Sequence, residues 1–159
     1  MDVTVESATV ADVDVVVDQW VDLVEGQRRH GAHLLGAENR AAAVSIVEQY
    51  VHADGVALAR TPDRDGRIVG FVMFHIERGM YEQDVRRGII ENVYVVPAYR
   101  EETVGSQLLD YAESKLEDEG ADVVGLSVLA DNEAARDLYR SRGYRPHRLT
   151  MERTIDDSE

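Results

Sequence analysis

The sequence of 159 residues contains no cysteine, so it holds neither a disulfide framework nor a thiolate nucleophile. No run approaches the roughly 18 consecutive apolar residues that a membrane-spanning helix needs. The first residues, Met1 to Glu6, lack the basic and apolar regions of a signal peptide. Lysine is nearly missing as well, since Lys115 is the only one among 17 basic residues. These absences predict a soluble, cytoplasmic protein with no membrane partner.

The charge balance is strongly acidic. Acidic residues number 31 against 17 basic ones, which gives a formal net charge of −14. Such a field repels the phosphates of nucleic acids and anionic lipid surfaces, so we expect neither as a partner. An acidic surface could recruit cationic amines, or it could adapt the whole surface to high salt. The acidic residues are spread along the chain rather than clustered, which favours adaptation and predicts a halophilic source.

The order of the predicted elements indicates an α/β fold with one central sheet flanked by helices. Apolar residues recur at strand or helix spacing along most of the chain. The predicted strands are 3–5, 56–60, 68–76, 88–96 and 123–129, the predicted helices are 11–24, 41–51, 104–117 and 133–142, and 144–155 is an extended segment. We expect a single domain over residues 1–155, followed by a disordered acidic tail, 156–159.

The segment 89–109 is the most informative part of the chain. An apolar strand leads through a short polar loop into a helix that begins near Gly105 and Ser106. The free N–H groups and the positive dipole end of such a helix form an anion site. Glu91 lies on the strand just upstream, and period two predicts one face shared by Ile89, Glu91, Val93 and Val95. An anion cradle beside a carboxylate suggests a phosphate-bearing cofactor.

Several motifs around this segment resemble a known family. They are Pro97-Ala98-Tyr99-Arg100, the loop from Arg100 to Gly105, Asn132, Leu138-Tyr139 and Gly143-Tyr144. In this order and spacing the chain resembles the GCN5-related N-acetyltransferases, most strongly from Gly88 to Tyr144. The resemblance implies a mixed, splayed central sheet flanked by helices, with acetyl-CoA as co-substrate and its pyrophosphate held by the loop.

The resemblance also implies roles for individual residues. Glu91 would act as the base, and Tyr139 would protonate the departing thiolate. Asn132 would contact the cofactor arm, and the strand would bond it through backbone groups of Val93 and Val95. The phosphate cradle would comprise Arg100, Thr103, Val104, Gly105 and Ser106.

Each of these residues also has a structural alternative. Glu91 could lie on a solvent face, Tyr139 could pack its helix on the sheet, and Asn132 could simply cap that helix. The cradle departs from the family pattern, because Thr103 stands where the first glycine is expected and Glu101 and Glu102 stand where basic residues are common. We therefore expect weaker cofactor binding at low salt than at high salt.

Other constellations are weak. His30 and His33 are three residues apart, but no further ligand cluster accompanies them, so we predict no metal site. His75 is interpreted as structural. By analogy with the family, Trp20, Tyr81, Glu82 and Asp84 are candidates for an acceptor pocket.

These observations predict an N-acetyltransferase that moves an acetyl group from acetyl-CoA to a primary amine by direct attack in a ternary complex. The acceptor amine is not identified by the sequence, and a homodimer is left open. The alternatives are a protein N-terminal or lysine acetyltransferase, and a non-catalytic acyl-CoA-binding regulatory domain.

The acidic surface leads to a first testable prediction. We expect the thermal unfolding midpoint to rise from dilute buffer to molar KCl, because salt screens the repulsion among the carboxylates. Differential scanning calorimetry over a series of KCl concentrations measures this. A midpoint that is equal or higher in dilute buffer would contradict the halophilic interpretation.

Overall fold

A computed structural model describes residues 2–100 and 103–155 of the chain; the predictions for Glu101, Glu102 and the tail 156–159 lie outside these residues. The element types predicted between residues 4 and 141 are confirmed, although β5 ends earlier than expected. No helix in the described part of the chain is long and apolar enough to cross a membrane. The elements are β1 (Thr4–Ser7), α1 (Val13–Gln27), α2 (Arg40–His52), β2 (Val56–Arg60), β3 (Ile68–Ile76), β4 (Arg87–Val95), α3 (Val104–Asp118), β5 (Val123–Leu126) and α4 (Glu133–Ser141).

The five strands form one mixed sheet in the order β1-β2-β3-β4-β5. The pairs from β1 to β4 are antiparallel, whereas β4 and β5 are parallel. Helix α3 connects this parallel pair, as the sequence predicts. The mixed α/β architecture with flanking helices is therefore confirmed, while the domain boundary at residue 155 stays a prediction.

Helices cover both faces of the sheet. In β2, Ala57 and Ala59 pack in the cluster that contains α3, while Val56 and Leu58 pack in the cluster that contains α1 and α2. The apolar positions of α3 recur at helical spacing and are fully buried; they are Val104, Leu108, Leu109, Ala112 and Leu116. This packing fixes the start of α3 against the sheet.

The pairing of β3 with β4 contains a bulge at Glu91. Met73 pairs with Asn92, but the following residue, Phe74, pairs with Ile90, so Glu91 has no partner on β3. One extra residue in a strand bends it and reverses the alternation of side chains beyond that point.

The bulge overturns one prediction from the sequence. Period two places Ile89, Glu91, Val93 and Val95 on a single face, and this is wrong. Val93 and Val95 pack in the cluster on the α3 side, whereas Glu91 lies beside Trp20 of α1 on the opposite side. The physical reason is the extra residue, which shifts the phase of the strand.

The chain after α4 is only loosely attached. The Tyr144 hydroxyl donates a hydrogen bond to Glu113 Oε2 on α3 at 2.6 Å. Beyond it, Leu149, Met151 and Ile155 are exposed, and residues 145–155 form no helix or strand. The extended segment predicted here therefore has no strand partner among the described residues.

Candidate active site

The parallel strands β4 and β5 separate before β4 ends. The last paired residues are Ile90 and Leu126, whereas β4 continues to Val95. In the described part of the chain, residues 91–95 thus have no strand partner on the β5 side. Backbone groups on such an edge can pair with an extended ligand that carries amide groups, as an added strand would. The predicted cofactor residues Val93 and Val95 lie in this opening.

Helix α3 begins beside the end of β4. A Cβ built on Gly105 would lie 3.8 Å from Val95 Cγ2. The N–H groups of Val104, Gly105 and Ser106 belong to the first turn and have no acceptor within the helix. Together with the positive end of the helix dipole they form a donor set suited to phosphate. The predicted phosphate-binding residues thus lie next to the open edge of β4.

Thr103 immediately precedes this helix, where the resemblance calls for glycine. Its backbone has φ −61° and ψ 10°, which a residue with a side chain adopts without strain. Its hydroxyl accepts a hydrogen bond from Gln107 Nε2 at 3.1 Å. The backbone at this point therefore does not require glycine.

Arg100 is held against the end of β4. Its Nε donates to the Val95 carbonyl at 2.8 Å, and its guanidinium carbon lies 5.3 Å from the centre of the Tyr94 ring. The second contact is in the range of a cation–π interaction. Both contacts fix a positive charge at the mouth of the opening, and they engage one of the backbone groups predicted for the cofactor.

Glu91 projects from the bulge with two titratable neighbours. Its Oε1 lies 3.7 Å from His75 Nδ1 on β3, and the Tyr50 hydroxyl of α2 lies 3.1 Å from the same nitrogen. Burial raises the pKa of Tyr50, and the negative charge of Glu91 raises it further. The Tyr50 hydroxyl therefore keeps its proton at neutral pH and can donate it in a hydrogen bond to His75.

A depression of about 90 Å³ opens beside Glu91. The lining side chains come from α1, α2, β3 and β4; they are Trp20, Ala43, Ile46, Val47, Tyr50, Met73, Glu91 and Asn92. Trp20 is thus where the acceptor prediction expects it. Tyr81, Glu82 and Asp84 do not line the depression and are exposed in the loop between β3 and β4.

Asn132 and Tyr139, the residues predicted to act at α4, both have structural contacts. The Asn132 side chain caps the helix by accepting a hydrogen bond from the Ala135 N–H at 3.2 Å. Tyr139 packs against the core cluster on the α3 side, with its ring 5.9 Å from that of Tyr144 in an edge-on arrangement. Burial raises the pKa of Tyr139, and its hydroxyl makes no hydrogen bond to the described residues. The ring of Tyr139 thus has packing partners, whereas its hydroxyl has no hydrogen-bond partner among the described residues.

Ion pairs connect the end of helix α4 to α3. Arg142 donates to Asp110 at 2.7 Å and to Glu113 at 2.8 Å, and only 16% of its side chain is exposed. Glu113 also accepts the hydrogen bond from Tyr144. These contacts hold the end of α4, and with it Tyr139, against α3.

The candidate metal pair does not form a site. His30 Nδ1 lies 2.8 Å from Asp131 and His33 Nε2 lies 2.8 Å from Glu152, so the two histidines contact different carboxylates. Within residues 2–100 and 103–155 no group of three or more potential ligands could hold a metal ion.

The arrangement combines an open strand edge, an anion site, a carboxylate and a protonated tyrosine. The open edge and the first turn of α3 fit a long ligand that has both amide and phosphate groups. Sequence reasoning missed the approach of Glu91 to His75, which also contacts Tyr50, because this approach depends on the bulge. The only sign of this arrangement in the sequence is His75, a single histidine in an otherwise apolar strand.

Comparisons with known proteins agree with this geometry. The model of a family described as "Acetyltransferase (GNAT) family" matches residues 26–144. The aminoalkylphosphonate N-acetyltransferase of Salmonella typhimurium is 27% identical over 138 residues, which is 87% of this chain and 82% of that protein.

Solved structures show the same fold. The structure of a mutant protein from Bacillus halodurans superposes with a TM-score of 0.79 at 19% identity, covering 96% of this chain and 99% of the other. That of an aminoglycoside N-acetyltransferase in complex with CoA has a TM-score of 0.72 at 16% identity, covering 98% and 96%.

The cap at Asn132 gives a testable prediction about stability. Asn132→Ala removes the acceptor for the Ala135 N–H, and we expect it to lower the free energy of unfolding by about 1 kcal/mol. Asn132→Ser keeps a capping oxygen and should restore most of that loss. Urea unfolding followed by circular dichroism compares the two variants. Equal stability of the alanine and serine variants would show that the cap does not matter.

Proposed function

Since the chain belongs to the acetyltransferase (GNAT) family and uses acetyl-CoA, we propose that it acetylates a primary amine by direct attack in a ternary complex. The observation that carries this proposal is the position of Glu91. It projects from a bulge at the point where β4 leaves β5, so one carboxylate borders both the open strand edge and the depression.

The described residues fit acetyl-CoA. Residues 91–95 offer an unpaired edge for the amide-containing arm, and the first turn of α3 offers N–H donors for the phosphates. Arg100 adds a fixed positive charge. When bound, acetyl-CoA supplies the acetyl thioester, and the residues of the chain bind it and transfer the protons.

Glu91 accepts the proton that the amine must lose before its nitrogen can attack. Backbone N–H groups along the open edge of β4 polarise the thioester carbonyl. The bond from nitrogen to the acetyl carbon forms as the carbon–sulfur bond breaks, and Tyr139 donates its proton to the sulfur. The acylated nitrogen releases its second proton to solvent, which leaves the neutral amide. Solvent then returns a proton to Tyr139 and takes one from Glu91. No covalent relay through cysteine is available, because the chain has none.

The overall proposal is tested by binding and turnover. Isothermal titration calorimetry with acetyl-CoA, in dilute buffer and in molar KCl, should detect binding that does not weaken with salt. CoA release should then follow the addition of amines from a panel of small amines, amino acids and peptides. Binding without acetylation of any amine would favour a non-catalytic acyl-CoA-binding domain, and turnover of peptides alone would favour a protein acetyltransferase. A lack of binding in both buffers would overturn every one of these functions.

The role of Glu91 is tested by Glu91→Gln, which keeps the shape of the side chain but cannot accept the proton. We expect kcat to fall by about 100-fold or more, with acetyl-CoA affinity unchanged. Steady-state CoA release and calorimetry measure the two quantities. Glu117→Gln, at an exposed site near the end of α3, is the matched control and should have normal activity. Unchanged turnover in the Glu91 variant would remove it as the base.

The role of Tyr139 is tested by Tyr139→Phe. Because its hydroxyl makes no hydrogen bond to the described residues, we expect unchanged stability but a kcat lower by about tenfold or more. Since burial raises the pKa of Tyr139 above its usual value, the acid form persists to higher pH, so any loss of wild-type activity through Tyr139 should begin at a higher pH than an exposed tyrosine would give. A normal kcat in Tyr139→Phe would show that Tyr139 is not the proton donor and only packs against the core.

A further inference from the structure

The depression beside Glu91 has one charged side chain in a mostly apolar lining. Among the described residues that line it, Glu91 is the only one with a formal charge, and no arginine or lysine takes part. Trp20, Ile46 and Met73 are among the apolar residues of the lining, and Tyr50 and Asn92 add polar atoms. The Asn92 amide is already directed at the Met73 sulfur, at 3.9 Å.

Two properties of an acceptor follow from this lining. A protonated amine is attracted to Glu91, and the net charge of −14 increases its concentration near the protein. A compact apolar substituent gains about 25 cal/mol for each Å² that it buries against Trp20 and Ile46. Ile46 has apolar surface left for such a substituent to bury, because it lines the depression and is still 47% exposed.

An anionic substituent would be disfavoured by the same lining. A carboxylate or phosphonate placed in the depression would lie near Glu91 and lose hydration without gaining an arginine or lysine as partner. The neighbouring imidazole, His75, already faces Glu91 at 3.7 Å and the Tyr50 hydroxyl at 3.1 Å. The relative from Salmonella typhimurium is named for aminoalkylphosphonates, which carry such an anionic group.

We infer that the acceptor is a small primary amine with a compact aromatic or branched aliphatic group and without an anionic group. The inference rests on the proposed function, since it names the substrate class of the same site. The volume of about 90 Å³ is enough for roughly one ring or one branched chain.

The experiment compares a primary amine that has no anionic group with two that carry one. Phenethylamine and phenylalanine share a ring and an amine, but phenylalanine adds a carboxylate; 2-aminoethylphosphonate adds a phosphonate without a ring. We expect kcat/KM for phenethylamine to exceed that of both anionic amines by about tenfold or more. The preference should persist in molar KCl, because it arises from the lining rather than from the screened overall field. A preference that vanishes in molar KCl would assign it to the overall field and overturn the inference.

A matched pair of variants locates the preference. Ile46→Arg places a cation at the rim, and it should raise the ratio of phenylalanine to phenethylamine turnover by about tenfold. Val10→Arg makes the same change at another exposed apolar residue, 56% exposed and outside the depression, and it should leave the ratio unchanged. Melting temperatures of both variants confirm that they fold.

The outcomes separate the inference from the function on which it rests. Faster turnover of phenylalanine or 2-aminoethylphosphonate than of phenethylamine would overturn the inference and leave the acetyltransferase intact. An equal shift in the ratio for both arginine variants would also overturn it, since the discrimination would then come from overall charge. A lack of CoA release with every amine, despite binding of acetyl-CoA, would reject the proposed function itself.

Discussion

The early end of the β4–β5 pairing is the constraint on which the site depends. If β5 stayed paired along the whole of β4, the backbone groups of residues 91–95 would be satisfied within the sheet and would be closed to a ligand. Apart from the Val95 carbonyl, which accepts a hydrogen bond from Arg100, the separation leaves the backbone groups on this edge open to water or a ligand. Helix α3, buried along one whole face, holds its first turn beside that same edge. Cofactor binding and the local fold are therefore two consequences of one geometry.

The acidic surface repels anions, whereas the proposed site has to bind an anionic cofactor. A net charge of −14 disfavours an anionic cofactor, and few cations are available to offset it. In the proposed function, oriented backbone groups and one arginine offset this charge; the guanidinium of that arginine is held by the Val95 carbonyl and the Tyr94 ring. Helix dipoles and fixed donors act at short range, so they do not require a basic surface. Arginine suits this use, since its planar group can stack and donate at the same time.

Much of the fold could be predicted from the sequence. Helical spacing identifies α3, and Gly120 and Gly143, which adopt φ of 92° and 95°, mark where helices end. The geometry of the site is harder to predict from the sequence. No residue type indicates the bulge at Glu91, and only the register of β3 against β4 reveals it. The contact of Glu91 with His75 depends on that register, so His75 reads from the sequence as an ordinary strand residue.

The bulge divides β4 into two parts with different tasks. The residues before it pair with β5 and complete the sheet, and the residues after it present an open edge and reversed faces. Glu91 and Asn92 follow one another on the side of α1 and α2, whereas Ile90 before them and Val93 after them both pack on the α3 side. Deleting either of the two would restore strict alternation and leave the valines where they are, but only one polar side chain would then face α1 and α2. The bulge therefore adds a polar position to one face of the sheet without disturbing the apolar core on the other.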